Sequence, residues 1–417
     1  MDNGPSLRHL WAMNTDILIA GGGLNGTTLA LALASAGLSV TLIDARPRDI
    51  RAAPGFDGRS YAMSHGSCAM LRALGLWDDM AENAQPIFGI KVSDGRAGQR
   101  PSPLTLEFDH AEIEEGPMGH MVQDRHLRPV LLAALDAQPL VTLVCDRIVA
   151  QSSDGQRAQV TLAGGETLSG AVLVGCDGRG SGVAARAGIR YIGWNYGQTG
   201  MVAAIAHTLP HHGIAHQFFM PEGPLAILPL TGNRSSIVWT ERSENAAAIN
   251  ALSDADYLDI LRPRFGDFLG DISLAGARYS YPLSLSLAQS MIAPRVALCG
   301  DSAHGVHPIA GQGLNAGMKD IAALAQVLAE ARRRGEDIGR ADVLGRYQEW
   351  RRFDITTLAL ATDTFNRLFS NDNTVLRLAR DLGLAAVNAL PGLRRGFIRE
   401  AAGLTGARPD LLCGRPL

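Results

Sequence analysis

Short apolar runs that stop on glycine or aspartate alternate along this chain with longer segments of helical period, the pattern of an α/β protein. Asp16 to Ala20 (DILIA) reads as a buried strand that breaks at Gly21, and the alanine-rich stretch Leu24 to Ala36 as a helix closed by Gly37. Ser39 to Ile43 is a second strand, ending on Asp44. A helix is expected over Ser64 to Leu74, then short strands and turns to about Pro117. Asp124 is placed to cap a helix over Arg125 to Ala137, with Gln123 at its mouth. Val141 to Gln151 and Ala158 to Leu168 alternate around Asp154 and Gly155, which predicts antiparallel strands appended to the first domain. Ala171 to Cys176 is another buried strand, and it ends on Asp177 and Gly178.

From Tyr191 to about Tyr281 the runs MVAAIAHT, AHQFFM, PLAILPL and SSIVWTE predict an antiparallel sheet, a second domain, with one helix over Asp254 to Phe265. Its Trp194, Phe218, Phe219, Pro229 and Trp239 read either as the lining of an apolar pocket or as ordinary core. Arg295 to Cys299 returns to the buried parallel type and runs into Gly300 and Asp301. Beyond it, Leu314 to Arg332 and Arg340 to about Phe369 are helical. The last amphipathic stretch sets Arg394, Arg395 and Arg399 beside Leu393, Phe397 and Ile398. It reads as a helix packed on its own protein, or as one made for a membrane surface or a partner.

Composition narrows this picture. A chain of 417 residues with 46% hydrophobic content is long enough for two domains, and no apolar run in it is long enough to span a bilayer. A net charge of −3 supplies no long-range attraction to nucleic acid. The five cysteines are scattered and form no C-x-x-C pair, and the residues before Asp16 lack a signal-peptide core. A cytoplasmic protein is expected.

The candidate chemistry sits where strands end. Gly21, Gly23 and Gly26 form a G-x-G-x-x-G turn between a strand and a helix. The first permits the tight turn, the second the approach of a pyrophosphate, and the third close helix packing. Asp44 follows about twenty positions later at the end of the next strand, where a carboxylate bonds ribose hydroxyls. Asp177 and Asp301 close two further strands, and Asp301 is expected to face a ligand. Gly311, Gln312 and Gly313 lead into a helix whose N-terminus suits an anion. Asp301, His304 and His307 recur every third residue, yet their broken loop has no further ligand nearby in sequence, so no metal is expected.

Taken together, the Gly21–Gly26 fingerprint, the Asp177-Gly178 turn and the Gly300-Asp301 turn resemble the class A flavoprotein aromatic hydroxylases. Within them, HPIAGQGLN at His307 to Asn315 and FNRLFSNDN at Phe365 to Asn373 are similar to the ubiquinone-biosynthesis ring hydroxylases. The resemblance spans about Asp16 to Pro416. It implies FAD contact through Gly21, Gly23, Gly26, Asp44, Arg59, Gln123 and Asp301, with Gly311, Gln312, Gly313, Leu314 and Asn315 bordering the isoalloxazine and Pro308 beside it. Asp177 belongs to a turn implicated in both flavin and nicotinamide binding. Where the family carries an arginine seven positions after that aspartate, this chain has Ala184, with Arg186 two residues on.

The implied fold is α/β: a Rossmann-like, three-layer FAD-binding domain from residues 14–86, 118–188 and 290–335, an inserted antiparallel substrate sheet from 87–117 and 189–289, and C-terminal helices over 336–417. The implied reaction reduces FAD with a visiting NAD(P)H, forms a C4a-hydroperoxide with O2, and hydroxylates a polyprenyl-phenol. Pro308 and His307 are the catalytic candidates; His304 and His307 read either as groups that assist phenol deprotonation or as structural members of the loop. Burying a tail of about forty carbons at ~0.8 kcal/mol per methylene would yield about 30 kcal/mol, above the practical affinity ceiling of about 20. Most of the tail is therefore expected to stay in lipid or in a partner, with the protein peripheral to the inner membrane or held in a ubiquinone-biosynthesis complex. A homo-oligomer, a flavin dehydrogenase or oxidase, and a non-catalytic flavin-binding subunit remain open alternatives.

Overall fold

The computed structural model describes residues 14–47, 59–95, 97–98, 105–308, 311–369, 387 and 390–417. The FNRLFSNDN motif is covered only to Phe369, and part of the last amphipathic stretch also lies outside the described residues.

The apolar runs ending on glycine or aspartate assemble into one sheet. Strand β1 (Asn14–Ala20) leads into helix α1 (Leu24–Ser35), followed by β2 (Val40–Ile43), β3 (Val141–Val144) and β4 (Thr167–Gly175). With Val296–Leu298 they form a parallel array in the order Val296–Leu298, β4, β1, β2, β3. Helix α1 is buried from Gly26 to Ala34 because it lies between this sheet and neighbouring helices, which is why its sequence is apolar on almost every side.

Two expectations are corrected here. Val141 to Gln151 is not one strand of an antiparallel arm. Its first half is β3, paired in parallel with β2 after the Asp124–Ala137 helix, and only Ile148–Ser153 turns back to pair with Ala158–Leu162. Alternation reports which face a strand buries and says nothing about its partner, whereas a helical crossover enforces a parallel one. Asp124 does not cap its helix: it is the first helical residue, and its carboxylate accepts bonds from Tyr61 and Arg128.

Among the described residues the second sheet has nine strands, dominated by β5 (Tyr191–His207), which pairs with Arg234–Arg242 on one side and β6 (Tyr279–Ala288) on the other. It is not wholly antiparallel, since Gly89–Asp94 joins its edge parallel to Ile214–Phe219. Met201, Ala203, Ile205, Ile237 and Trp239 face the helices Ser243–Asn250 and Asp254–Phe265 and form a separate core. The five singled-out aromatic and proline residues do not share one pocket. Trp239 is fully buried in that core, Phe219 packs with Leu106, and Trp194 is 40% exposed.

Helices α2 (Gln312–Arg333) and α3 (Ala341–Phe369) complete the fold. Helix α2 starts two residues earlier than its apolar period suggests. Gly311 takes a left-handed φ of +64° at the N-cap, which draws Gln312 and Gly313 into the first turn. The Pro391–Ala401 helix is packed on its own protein through the buried Ile398 and through ion pairs of Arg394 with Glu112 and Arg399 with Glu115, both at 2.8 Å. Among the described residues no helix is long and apolar enough to cross a membrane.

Candidate active site

The register of the parallel sheet brings the candidate turns to one level. Ala20 stands beside both Ile43 and Gly175, and Gly175 beside Leu298, so Gly21, Asp44, Asp177 and the Gly300-Asp301 turn emerge together from the carboxyl ends of the strands. Gly21 has φ +101°, and a Cβ there would stand 2.4 Å from the Cys176 carbonyl oxygen. A Cβ on Gly26 would lie 1.9 Å from the Gly21 carbonyl oxygen, so α1 and the turn touch backbone to backbone. Gly23 differs. Among the described residues, its chain neighbours aside, no atom lies within 4 Å of its Cβ position.

Gly23 is the N-cap of α1 and Gly311 the N-cap of α2, and neither makes a side-chain cap bond. Each helix thus begins, without a side-chain cap from its own N-cap residue, on backbone N–H groups and a positive dipole end. Asp44 accepts the Gly22 N–H at 2.6 Å and the Arg46 N–H at 2.7 Å. A carboxylate offers about four acceptor positions, so these two bonds orient Asp44 and leave capacity for hydroxyl groups. Open glycines, uncapped helix starts and a fixed carboxylate at one sheet edge fit a dinucleotide.

Other candidates have their side chains engaged by protein. Asp177 accepts from Ser181 Oγ at 2.5 Å and from the Val183 N–H at 3.0 Å, beside Ser181, which is the N-cap of the short Gly182–Arg186 helix. Asn315 accepts from the Ser64 N–H and Ser67 Oγ and donates to the Ala62 carbonyl, all within 2.9 Å, so it ties α2 to the Ser60–Ser64 strand. Gln123 is buried beside that strand, accepting from Arg125 Nε at 2.8 Å. Arg59, one residue before the strand, keeps a half-exposed side chain 3.3 Å from Asp124. Gly313 has no protein atom near its Cβ position. Leu314 packs at the margin of the main core.

The loop after Asp301 holds the residues that sequence reasoning left ambiguous. His304 is structural: buried, it meets Asp320 Oδ2 at 2.6 Å. Asp320 also accepts the Gly300 N–H at 3.0 Å and Arg351 Nε at 2.8 Å, so one buried carboxylate holds the Gly300 turn, this loop and α3 together. Burial alone would raise that carboxyl, but His304 and Arg351 outweigh it and keep it below the usual carboxylate range. His307 is buried edge-on to Tyr196, with neither ring nitrogen hydrogen-bonded among the described residues. Its imidazole is lowered to about 4, first by burial and then by Arg179. Pro308 follows at the end of the described loop. Arg179, which sequence reasoning passed over, lies 3.8 Å from Asp301 and donates to the Val306 carbonyl, linking two of the turns.

Among the described residues no group of histidines, cysteines and carboxylates could hold a metal. A cavity of about 500 Å³ opens elsewhere, lined by His216, Phe218 and Phe268 near the Asp254–Phe265 helix. Phe218 belongs to the separate helix-covered core, so this cavity adjoins that core.

Residues 14–357 match the family described as the FAD binding domain. The ubiquinone hydroxylase UbiL of Rhodospirillum rubrum is 43% identical over 406 residues, covering 96% of this chain and 93% of that protein. The 3-demethoxyubiquinol 3-hydroxylase of Escherichia coli is 34% identical, covering 94% and 99%. In structure, p-nitrophenol 4-monooxygenase from Pseudomonas putida superposes with a TM-score of 0.78 at 20% identity, over 95% of this chain and 99% of that one, a likeness of fold. The chain belongs to the FAD-binding family of flavoprotein hydroxylases that includes the ubiquinone hydroxylases.

Proposed function

We propose that this chain is an FAD-dependent monooxygenase that hydroxylates the aromatic ring of a polyprenylated phenol in ubiquinone biosynthesis, with NAD(P)H as visiting reductant and O2 as co-substrate. The observation that carries this reading is the convergence, at one sheet edge, of the open Gly23 turn and the Asp44 carboxylate with the loop that bears His307 and Pro308. The finer architecture is read as a Rossmann-like three-layer FAD-binding domain interrupted by a substrate sheet.

Bound flavin would supply the electrons and the activated oxygen. The chain supplies the rest. The Gly23 turn and the N-terminus of α1 would receive the pyrophosphate and Asp44 the ribose hydroxyls, with Arg59, Gln123 and Asp301 flanking them. The first turn of α2, from Gln312 to Leu314, would border the ring system, and Pro308, whose carbonyl accepts the Gly311 N–H at 3.0 Å, would stiffen the approach. His307, neutral at physiological pH, accepts a proton from the phenol; ionisation makes the ring richer in electrons and readier to attack an electrophilic oxygen. The buried loop keeps water from the reacting atoms.

Leu390, Leu393 and Phe397 are 52%, 54% and 46% exposed while Ile398 anchors their helix. That face supports peripheral association with lipid or a partner carrying the substrate tail. The deciding experiment supplies purified protein, FAD, NAD(P)H and a prenylated phenol. A yellow holoenzyme and a product heavier by one oxygen atom are expected; hydrogen peroxide with unmodified or merely dehydrogenated phenol would overturn the reading.

A further inference from the structure

The cavity near the Asp254–Phe265 helix is built by strand register. Lys91 of the Gly89–Asp94 strand stands between His216 and Glu107, and Ser93 stands beside Phe218 in the next row. Alternate residues of a strand share a face, so these side chains make one wall, and all of them border the cavity. The intervening Ile90 and Ala215 point the other way, into a core with Met121 and Ile398. Phe265 and Phe268, stacked at 5.9 Å where the helix ends, make the facing wall. The cavity shares no residue with the candidate flavin site.

A volume of about 500 Å³ is that of a ligand pocket, a class of site walled by apolar and aromatic groups with a few placed polar ones. Here the polar ones are Ser93 and His216. Ser93 is 3% exposed, and among the described residues its hydroxyl has no hydrogen-bond partner. Such an atom costs stability unless something comes to meet it. Rotation about χ1 carries a serine hydroxyl between staggered positions, so it can turn to a ligand. The His216 ring lies 4.4 Å from the Phe268 ring and makes no hydrogen bond among the described residues. Burial and then Lys91 push its imidazole down to about 4, so at neutral pH it offers one donor and one acceptor nitrogen. The lysine and arginine of the walls are already matched, Lys91 at 3.2 Å from Glu107 and Arg264 at 3.4 Å from Glu241. A carboxylate entering here would lose its hydration with both of those cations taken.

We propose that this cavity is a second binding site, for a neutral oxygen-bearing ring with a short apolar chain, a phenol or a quinone. Phe218 and Phe268 pack against the ring, and Met220 and Leu269 cover the chain. A phenol donates its O–H to the acceptor nitrogen of His216 and accepts from Ser93; a quinone carbonyl accepts from either. The site does not depend on the hydroxylase reading, although that reading supplies compounds of this kind.

Met220 lines the cavity, so its methyl group reports binding there and not at the flavin site. The test titrates FAD-loaded protein, isotope-labelled in its methionine methyl groups, with 2-geranylphenol or with 2-geranyl-1,4-benzoquinone at neutral pH. The Met220 signal is followed by NMR and assigned by its loss in Met220→Leu. A saturable shift with either compound supports the site, the tighter of the two naming its source; no shift with either at up to about 1 mM overturns it. Ser93→Ala and His216→Phe are each expected to weaken the affinity read at Met220 about fivefold while flavin binding is unchanged. Wild-type affinity in either variant overturns the assignment. Should a variant fail to fold, 3-geranylbenzoate and the wild type decide: binding weaker than that of the phenol supports a site for neutral ligands, and equal or tighter binding overturns it. Failure to hydroxylate a phenol while the Met220 shift persists would instead sink the monooxygenase reading and leave this site standing.

Discussion

Gly23 and Gly26 belong to one motif, and the structure predicts that adding a methyl group to each will fail in different ways. In Gly26→Ala the new Cβ would stand 1.9 Å from the Gly21 carbonyl oxygen and 3.2 Å from Cys176 Cβ. No rotamer relieves a clash with backbone, so α1 must move away from the turn. Overpacking of this kind costs about 1–3 kcal/mol, here at the upper end, and the better helix propensity of alanine returns ~1. A net loss of about 2 kcal/mol is expected in the apoprotein, together with weaker FAD binding because the N–H groups have shifted. In Gly23→Ala the φ of −69° suits any residue, and among the described residues, chain neighbours aside, no atom lies within 4 Å of the new Cβ. Loss of the favoured N-cap glycine and the reduced entropy of the unfolded chain are each worth about 0.5–1 kcal/mol and oppose one another. Apoprotein stability should therefore stay within about 0.5 kcal/mol of wild type. A methyl group in the pyrophosphate's path should nonetheless lower FAD affinity about a hundredfold, or ~2.7 kcal/mol. Denaturant unfolding of the apoproteins and fluorescence titration with FAD measure both quantities. Should Gly23→Ala bind FAD like wild type, or destabilise the apoprotein as much as Gly26→Ala, the assignment of Gly23 to ligand approach is wrong.

Asp320→Asn leaves Arg351 buried beside a neutral amide and should cost about 3–5 kcal/mol, read as a lower denaturation midpoint. Because the folded-state pKa of Asp320 lies below its unfolded value of about 3.9, its contribution is complete above that pH and fades as the pH falls through the folded value. The stability gap between wild type and Asp320→Asn should accordingly narrow on acidification; a constant gap would contradict the ion-pair account. Asn315→Ala strands the Ser64 N–H, while the Ser67 hydroxyl keeps Ser64 Oγ at 3.1 Å, so a loss of about 1–3 kcal/mol is expected, and a midpoint unchanged in urea would show that the clamp carries no stability. Changing Leu393 and Phe397 to Glu touches only half-exposed positions, so thermal stability should hold while co-sedimentation with anionic vesicles drops. Equal sedimentation of variant and wild type would argue against that helix as the docking face.

Local chemistry made much of the site legible in advance. The Gly21 to Gly26 turn, the helix over Leu24 to Ala36 and the acidic end of the second strand are all short-range features, because a backbone that must turn tightly or approach a phosphate accepts only glycine and a ribose needs a carboxylate at a strand end. The resemblance extended that to FAD and a prenylated phenol, and the family match supports it. Pairing was not legible: β3 and Ile148–Ser153 alternate in the same way, yet one lies parallel in the main sheet and the other antiparallel. Asp320, Arg351 and Tyr196 carry no local signature, since each is defined by partners far away in the chain. The sequence alone could determine which segments are strands, helices and tight glycine turns, because those depend on the conformational freedom of a few adjacent residues. Only the tertiary structure decided that His304 is held by a buried carboxylate while His307, three residues on, is left unpaired among the described residues and edge-on to Tyr196, because solvation and charge at a buried group depend on whatever the fold packs around it.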